Sequence, residues 1–162
     1  MSEEPQTNEY RQCLQYAILT LASAFSTQFD SIRDGLYTKT RSMLDGLDLK
    51  DGDMTACQIE HIQAWILITF YEFTKTPYRR GWLSAGRVFR LVQLLRLYDV
   101  DNPKSNRDHE QDAIEKEEKR RVFWVAYCLD RLISVSNATP VTLSEEVVRI
   151  CSSASEALWH NN

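Results

Sequence analysis

The amino-acid sequence predicts an all-α fold, an antiparallel helical bundle of about five to six helices. Three observations carry that expectation. Apolar residues recur at helical spacing in successive segments, each leaving a stripe for a core. Only 5 Gly and 4 Pro punctuate the chain, too few for the turns that many short strands would need. The connections between periodic segments are short, which favours antiparallel neighbours. At 162 residues, 43% hydrophobic and 26% charged, the composition suits one soluble domain with a real core.

Residues 1–8 read as a disordered polar N-terminus, residues 9–150 as the helical domain and residues 151–162 as a flexible tail. The first helix carries Tyr10, Leu14, Ala17, Ile18, Leu21, Ala22 and Phe25 at core spacing. Asp30 or Ser31 is placed to cap a second helix bearing Ile32, Leu36, Met43 and Leu44, with Gly35 inside it. Residues 45–53 hold two glycines and four acids and read as a loop. A third helix, from Thr55, is apolar on nearly every side through Ile59, Ile62, Trp65, Ile66, Ile68 and Phe73, so it belongs at the centre. Thr76-Pro77 ends it, since proline disfavours helical geometry in the residue before it.

The fourth helix, residues 78–98, combines Trp82, Leu83, Val88, Leu91, Val92 and Leu95 with Arg79, Arg80, Arg87, Arg90 and Arg96. Those arginines either face a ligand or partner, or solvate an exposed face while their stems cover apolar surface. Residues 99–108 form a polar loop. The fifth helix has Glu115–Lys119 and Glu117–Arg121 at i,i+4 in the favourable acid-first order, worth about 0.2–0.5 kcal/mol each. Its buried stripe is Val122, Val125, Ala126, Leu129, Leu132 and Ile133, and residues 137–140 end it. Ser144 is placed to cap a short last helix through Val147, Val148 and Ile150.

Charge and cysteines narrow the function. With 23 acids against 19 bases, a net charge of −4 and a pI near 5.4, the chain is not expected to grip nucleic acid directly. Cys13, Cys57, Cys128 and Cys151 are scattered, with no CxxC knuckle, and read as reduced thiols. The acidic start is no signal peptide, no apolar run reaches membrane length, and the sequon at Asn137 therefore carries no meaning. Residues 81–86 (GWLSAG) fail as a phosphate loop, because Arg87 and Val88 stand where Lys and Ser or Thr are needed. They fail as a nucleophile elbow because Trp82 replaces the required glycine. Small residues that allow close helix packing are the simpler account. Cys57 and His61 lie one turn apart, but a structural zinc site needs about four ligands. No catalytic residue and no metal ligand set is assigned.

Four segments in order carry a family resemblance. Residues 36–41 (LYTKTR), 62–72 (IQAWILITFYE), 80–93 (RGWLSAGRVFRLVQ) and 117–124 (EEKRRVFW) with Leu129-Asp130-Arg131 resemble successive helices of the fungal-specific transcription factor domain. That domain is the middle homology region of zinc-cluster transcription factors. The resemblance spans roughly residues 10–148. It implies a helical regulatory domain of a transcription factor, one controlling a pathway or secondary-metabolite gene cluster from the nucleus, or else residing in the cytoplasm. It would act through protein contacts, self-association or a small-molecule inducer, with no membrane. The shared residues Trp82, Gly86, Arg87, Glu118, Arg120, Arg121, Trp124, Asp130 and Arg131 read as scaffold. Trp124 is expected to anchor the core, and Asp130 and Arg131 to hydrogen-bond neighbouring helix ends. No cofactor is expected in this chain, since zinc belongs to the family's N-terminal cluster, which these cysteines cannot form. Relative to the family the bundle looks truncated, with apolar faces left uncovered. The rival expectations are an accessory protein or enzyme of a fungal biosynthetic pathway, and a non-functional remnant.

Overall fold

The structure, a computed structural model, describes residues 4–49, 58–101 and 113–144. Among the described residues the fold is all-α, with five helices and no strand: α1 (Glu4–Ser23), α2 (Asp30–Asp48), α3 (Ile59–Lys75), α4 (Tyr78–Leu94) and α5 (Ala113–Asn137). The short last helix expected from Ser144 falls mostly on residues 145–150, which lie outside the described residues, as do Thr55, Cys57 and the tail. The chain forms two compact units, residues 1–91 and 92–162.

In the first unit α1 packs against α2 and α3. Its buried stripe is Tyr10, Cys13, Ala17, Thr20, Ser23 and Ala24, whereas Ile18 and Phe25, expected in the core, are 50% and 79% exposed. Small residues win the inner face because they let helix backbones approach. The Thr20 and Thr40 hydroxyls meet at 2.9 Å where α1 and α2 cross. Arg33 of α2 reaches back to the Ser23 carbonyl at 2.9 Å and the Ser26 carbonyl at 3.2 Å, capping the α1 C-terminus with a cation. Asp30 is the first residue of α2 rather than its cap, and pairs with Arg33.

Three boundaries differ from those expected, one of them the end of α4, which stops at Leu94 and not at residue 98. Helix α1 begins at Glu4, inside the segment read as disordered. Helix α2 runs through Asp48, so residues 45–48 are helical and not loop. Tertiary contact overrides the weak local propensity there: Leu47 is buried, and Asp45 and Asp48 point at Arg87 of α4. Helix α3 is buried on nearly all sides, with Ile62, Ala64, Trp65, Ile68 and Thr69 fully so. It stops at Thr76, whose extended backbone (φ −125°, ψ 170°) precedes Pro77. Gly81 lets α4 start close to α3: a Cβ there would fall 2.8 Å from Cδ1 of Phe73. Gly86, one and a half turns on, faces open space.

In the second unit α4 ends in a tight turn, Leu97–Asp99, entered through a left-handed Arg96 (φ 51°). Helix α5 packs on that turn. Its buried residues are Val122, Phe123, Ala126, Leu129, Asp130 and Ile133, while Val125 and Leu132, expected inside, are 41% and 62% exposed. Both predicted ion pairs form, Lys119–Glu115 at 2.6 Å and Arg121–Glu117 at 3.0 Å. Ala138 adopts φ 52° as the helix ends, and Thr139 donates to the Ser134 carbonyl at 3.1 Å, a Schellman closure usually given to glycine.

The two α4 glycines should separate on mutation. Gly86→Ala should stabilise the protein by about 0.5–1 kcal/mol in urea unfolding, the entropic gain of alanine in a helix interior. Gly81→Ala should fall short of that gain, because its methyl group must displace the Phe73 ring.

Candidate functional site

The chemistry of the first unit centres on Glu72, a carboxylate in the most apolar helix with no solvent exposure. A buried charge survives only if paired and hydrogen-bonded. Glu72 Oε1 accepts from the Tyr37 hydroxyl at 2.7 Å and from Arg41 Nη1 at 3.3 Å, and Oε2 accepts from Ser84 Oγ at 2.5 Å. Arg41 Nη1 also donates to Ser84 Oγ at 3.0 Å, and Arg80 Nη1 donates to the Tyr37 oxygen at 3.0 Å. Helices α2, α3 and α4 thus meet on one carboxylate. Burial, then the Glu72 carboxylate, push the Tyr37 phenol up to about 12 against the opposing pull of Arg80, so it stays a neutral donor.

A second knot surrounds Trp65, which is fully buried. Arg41 and Arg87 lie over its ring, 4.8 and 4.7 Å from the centroid. Arg87 bridges Asp45 at 3.0 Å and Asp48 at 2.5 Å. His61 Nε2 stands 3.1 Å from Asp48 Oδ1 and 3.2 Å from Trp65 Nε1. One nitrogen serves one proton at a time, so a protonated His61 donates to Asp48 and a neutral one can accept from the indole. Burial pushes the Asp48 carboxyl up, but the hydrogen bond and charge of His61, with Arg87 and the Trp65 N–H, outweigh it and hold the carboxyl below its ordinary 3.8. Nearby Cys13 is raised to about 12, first by burial and then by the Asp48 charge, which leaves it an inert thiol.

Four of these groups, Arg41, Arg80, Ser84 and Arg87, border a cleft of about 540 Å³. Arg41 of α2, Lys75 of α3, Thr76 and Pro77 of the connection, and Arg79, Arg80, Leu83, Ser84 and Arg87 of α4 line it. Five of the nine are cationic and none is acidic. Of the two readings of the α4 arginines, Arg79, Arg80 and Arg87 converge on this hollow, while Arg90 and Arg96 do not line it.

The scaffold residues fall in both units. In the first, Trp82 is 46% exposed, Gly86 faces open space and Arg87 joins α4 to α2. In the second, Arg120 forks onto Asp101, with Nε 2.9 Å from Oδ2 and Nη2 2.6 Å from Oδ1, and also donates to Glu117 at 2.9 Å. Arg121 shares Glu117, and Glu118 is half-buried beside them. Asp130 is buried and accepts from the Thr142 and Leu143 amides at 2.9 and 2.8 Å. Arg131 returns a bond to the Leu143 carbonyl at 2.8 Å and lies over Tyr127. This Asp-Arg pair clasps the chain after α5 rather than another helix end. Trp124 is only half-buried, and its indole N–H is buried without a partner among the described residues; Phe123 beside it is the fully buried ring.

Sequence reasoning passed over Glu72, Tyr37 and Lys75 as site residues. Glu72 carried a signal: an acid in the interior of a helix apolar on nearly every side needs buried partners. Tyr37 and Lys75 carried none, because only the packing of three helices brings Tyr37 to Glu72 and Lys75 to the cleft. The metal pair suggested by Cys57 and His61 gains no support; Cys57 lies outside the described residues, and His61 is engaged with Asp48 and Trp65. Among the described residues no three His, Cys, Asp or Glu side chains could hold a metal, so they do not fit a zinc site. Cys128 is exposed, not buried as its neighbours suggested. No described helix is long and apolar enough to cross a membrane.

Fold and site together define an all-helical domain with a buried polar brace and a cationic cleft. The fungal specific transcription factor domain matches residues 2–160, and the chain belongs to that family. It is 48% identical over 165 residues to the pigment biosynthesis transcriptional activator pigB of Monascus ruber, covering 99% of this chain and 30% of that protein. The citrinin biosynthesis transcriptional activator mrl3 of Monascus ruber is 49% identical over 138 residues, 85% of this chain and 27% of the relative. The azaphilone cluster-specific transcription factor azaR of Aspergillus niger is 45% identical over 152 residues, 91% of this chain and 33% of the relative. The chain therefore spans about 30% of the length of the curated relatives it matches. No solved structure matches it significantly.

Two measurements test this description. Glu72→Ala should cost about 3–5 kcal/mol in chemical unfolding, since it leaves Arg41 and two hydroxyls without their shared acceptor; a loss under 1 kcal/mol would show the brace to be incidental. Because the folded Asp48 carboxyl is depressed, its stabilisation is complete above 3.8 and lost as pH falls through the lower folded value. The acid limb of a Tm-against-pH curve should accordingly be shallower for Asp48→Asn than for the native protein.

Proposed function

We propose that this chain is the regulatory domain of a transcription factor that controls a secondary-metabolite gene cluster, acting in the nucleus through protein or small-molecule contacts. The observation that carries the reading is near-50% identity, over most of the chain, to activators named for pigment and citrinin biosynthesis. The site agrees with a regulator rather than an enzyme. The side chains around Glu72 are spent on one another, as Glu72 is on Tyr37, Arg41 and Ser84, and brace helices instead of presenting a nucleophile and base. Net acidity argues that DNA contact is not this domain's task.

Protein partners or self-association find support in exposed apolar side chains. On α1, α2 and the turn between them Ile18, Leu19, Phe25, Phe29 and Ile32 are 43–79% exposed, apolar surface of the kind a partner covers.

Deleting the gene that carries this chain should silence one contiguous set of biosynthetic genes, read as a coordinated drop in their transcripts. Unchanged transcripts together with loss of a single metabolic step would instead identify an accessory enzyme.

A further inference from the structure

We infer that the cleft formed by Arg41 of α2, the α3–α4 connection and the first turns of α4 binds a compact polyanion, a metabolite bearing phosphate or several carboxylates. This names a ligand for the regulatory reading above and takes its biological meaning from it, but the binding stands on geometry.

The charge balance around the cleft is the starting point. The chain as a whole is acidic at −4, yet five cations and no acid line this one hollow. Two of the five are answered: Arg41 by Glu72, and Arg87 by Asp45 and Asp48. The other three form no direct ion pair among the described residues. Arg80 donates to Tyr37, a phenol that stays neutral far above physiological pH, and feels the Glu72 charge only from behind it. Lys75 and Arg79 have no carboxylate partner among the described residues. Three cations that line one hollow without a direct ion pair favour an anion that joins them.

The form of the cleft selects the ligand. Its volume of about 540 Å³ is that of a small-metabolite site. Arginine forks match carboxylate and phosphate oxygens in pairs, while lysine adds a mobile point charge. Arg41 and Arg87 are held over Trp65, and Arg80 on Tyr37, so their directions are set before a ligand arrives. Leu83 and Pro77 give the wall an apolar stretch, so the anion can carry a short carbon skeleton.

The test is calorimetric titration of the chain with pyrophosphate and with citrate, at matched ionic strength against sodium chloride. Native protein should bind at least one of them saturably and one-to-one. Selectivity for pyrophosphate marks a phosphate ester as the ligand type, and selectivity for citrate a polycarboxylate. The double variant Lys75→Gln/Arg79→Gln changes two exposed side chains and should keep its circular dichroism and melting behaviour while binding at least about tenfold more weakly. Arg80→Gln should weaken binding likewise. Heats that chloride reproduces, or binding that these variants leave unchanged, would overturn the site. If binding fails while deletion of the gene still silences a cluster, the site is wrong and the regulatory reading survives. If binding holds but deletion leaves transcripts unchanged, the site survives and the regulatory reading does not.

Discussion

The first unit is organised around one constraint: a carboxylate with no exposure must be answered from all sides. Glu72 sits on α3, the most thoroughly buried helix, and its answers come from Tyr37 and Arg41 on α2 and Ser84 on α4. Each donor is itself directional, so the network sets the angle at which α2 and α4 meet α3. An apolar residue at position 72 would fill the same volume without specifying that angle. The polar brace trades some stability for a defined arrangement.

The same constraint shapes the surface beside it. Arg41 turns inward to Glu72 and lies on Trp65, which brings its guanidinium to the edge of the cleft. Arg87 is drawn there by Asp45 and Asp48, and those acids are in reach only because α2 continues through residue 48. Arg80 is drawn by the Tyr37 oxygen. Cations recruited to brace the helices thus end up sharing one hollow, and Lys75 and Arg79 add charge that the brace does not absorb.

The second unit uses the same device with different residues. Arg120 forks onto Asp101 and Glu117, joining the turn after α4 to α5, and Asp130 gathers two backbone amides while Arg131 takes the carbonyl that follows. Motif residues that resemble the family's signature are thus charge-assisted clasps at chain reversals, where backbone groups would otherwise lack partners. The one loose end is Trp124, whose N–H is buried without an acceptor among the described residues, a desolvation cost that the flanking Phe123 and Tyr127 rings only partly offset.

Sequence periodicity by itself determined the all-α class, the centrality of α3, the stop at Thr76-Pro77 and the ion pairs of α5, because each depends on residues within a turn or two of one another. The ordered segments from residue 36 to residue 131 determined the family. Which apolar residues would be buried was decided by tertiary structure. Ile18, Val125 and Leu132 lie at core spacing yet face outward; on α1 the smaller Ala17 takes the inner face beside Ile18 and lets the helices approach closely. The extent of α2 was likewise decided from outside, by an arginine some forty positions away. So was the cleft. Its residues come from three helices, and charge that looks like ordinary solvated arginine along one helix becomes a binding surface only when packing aims it at the same point.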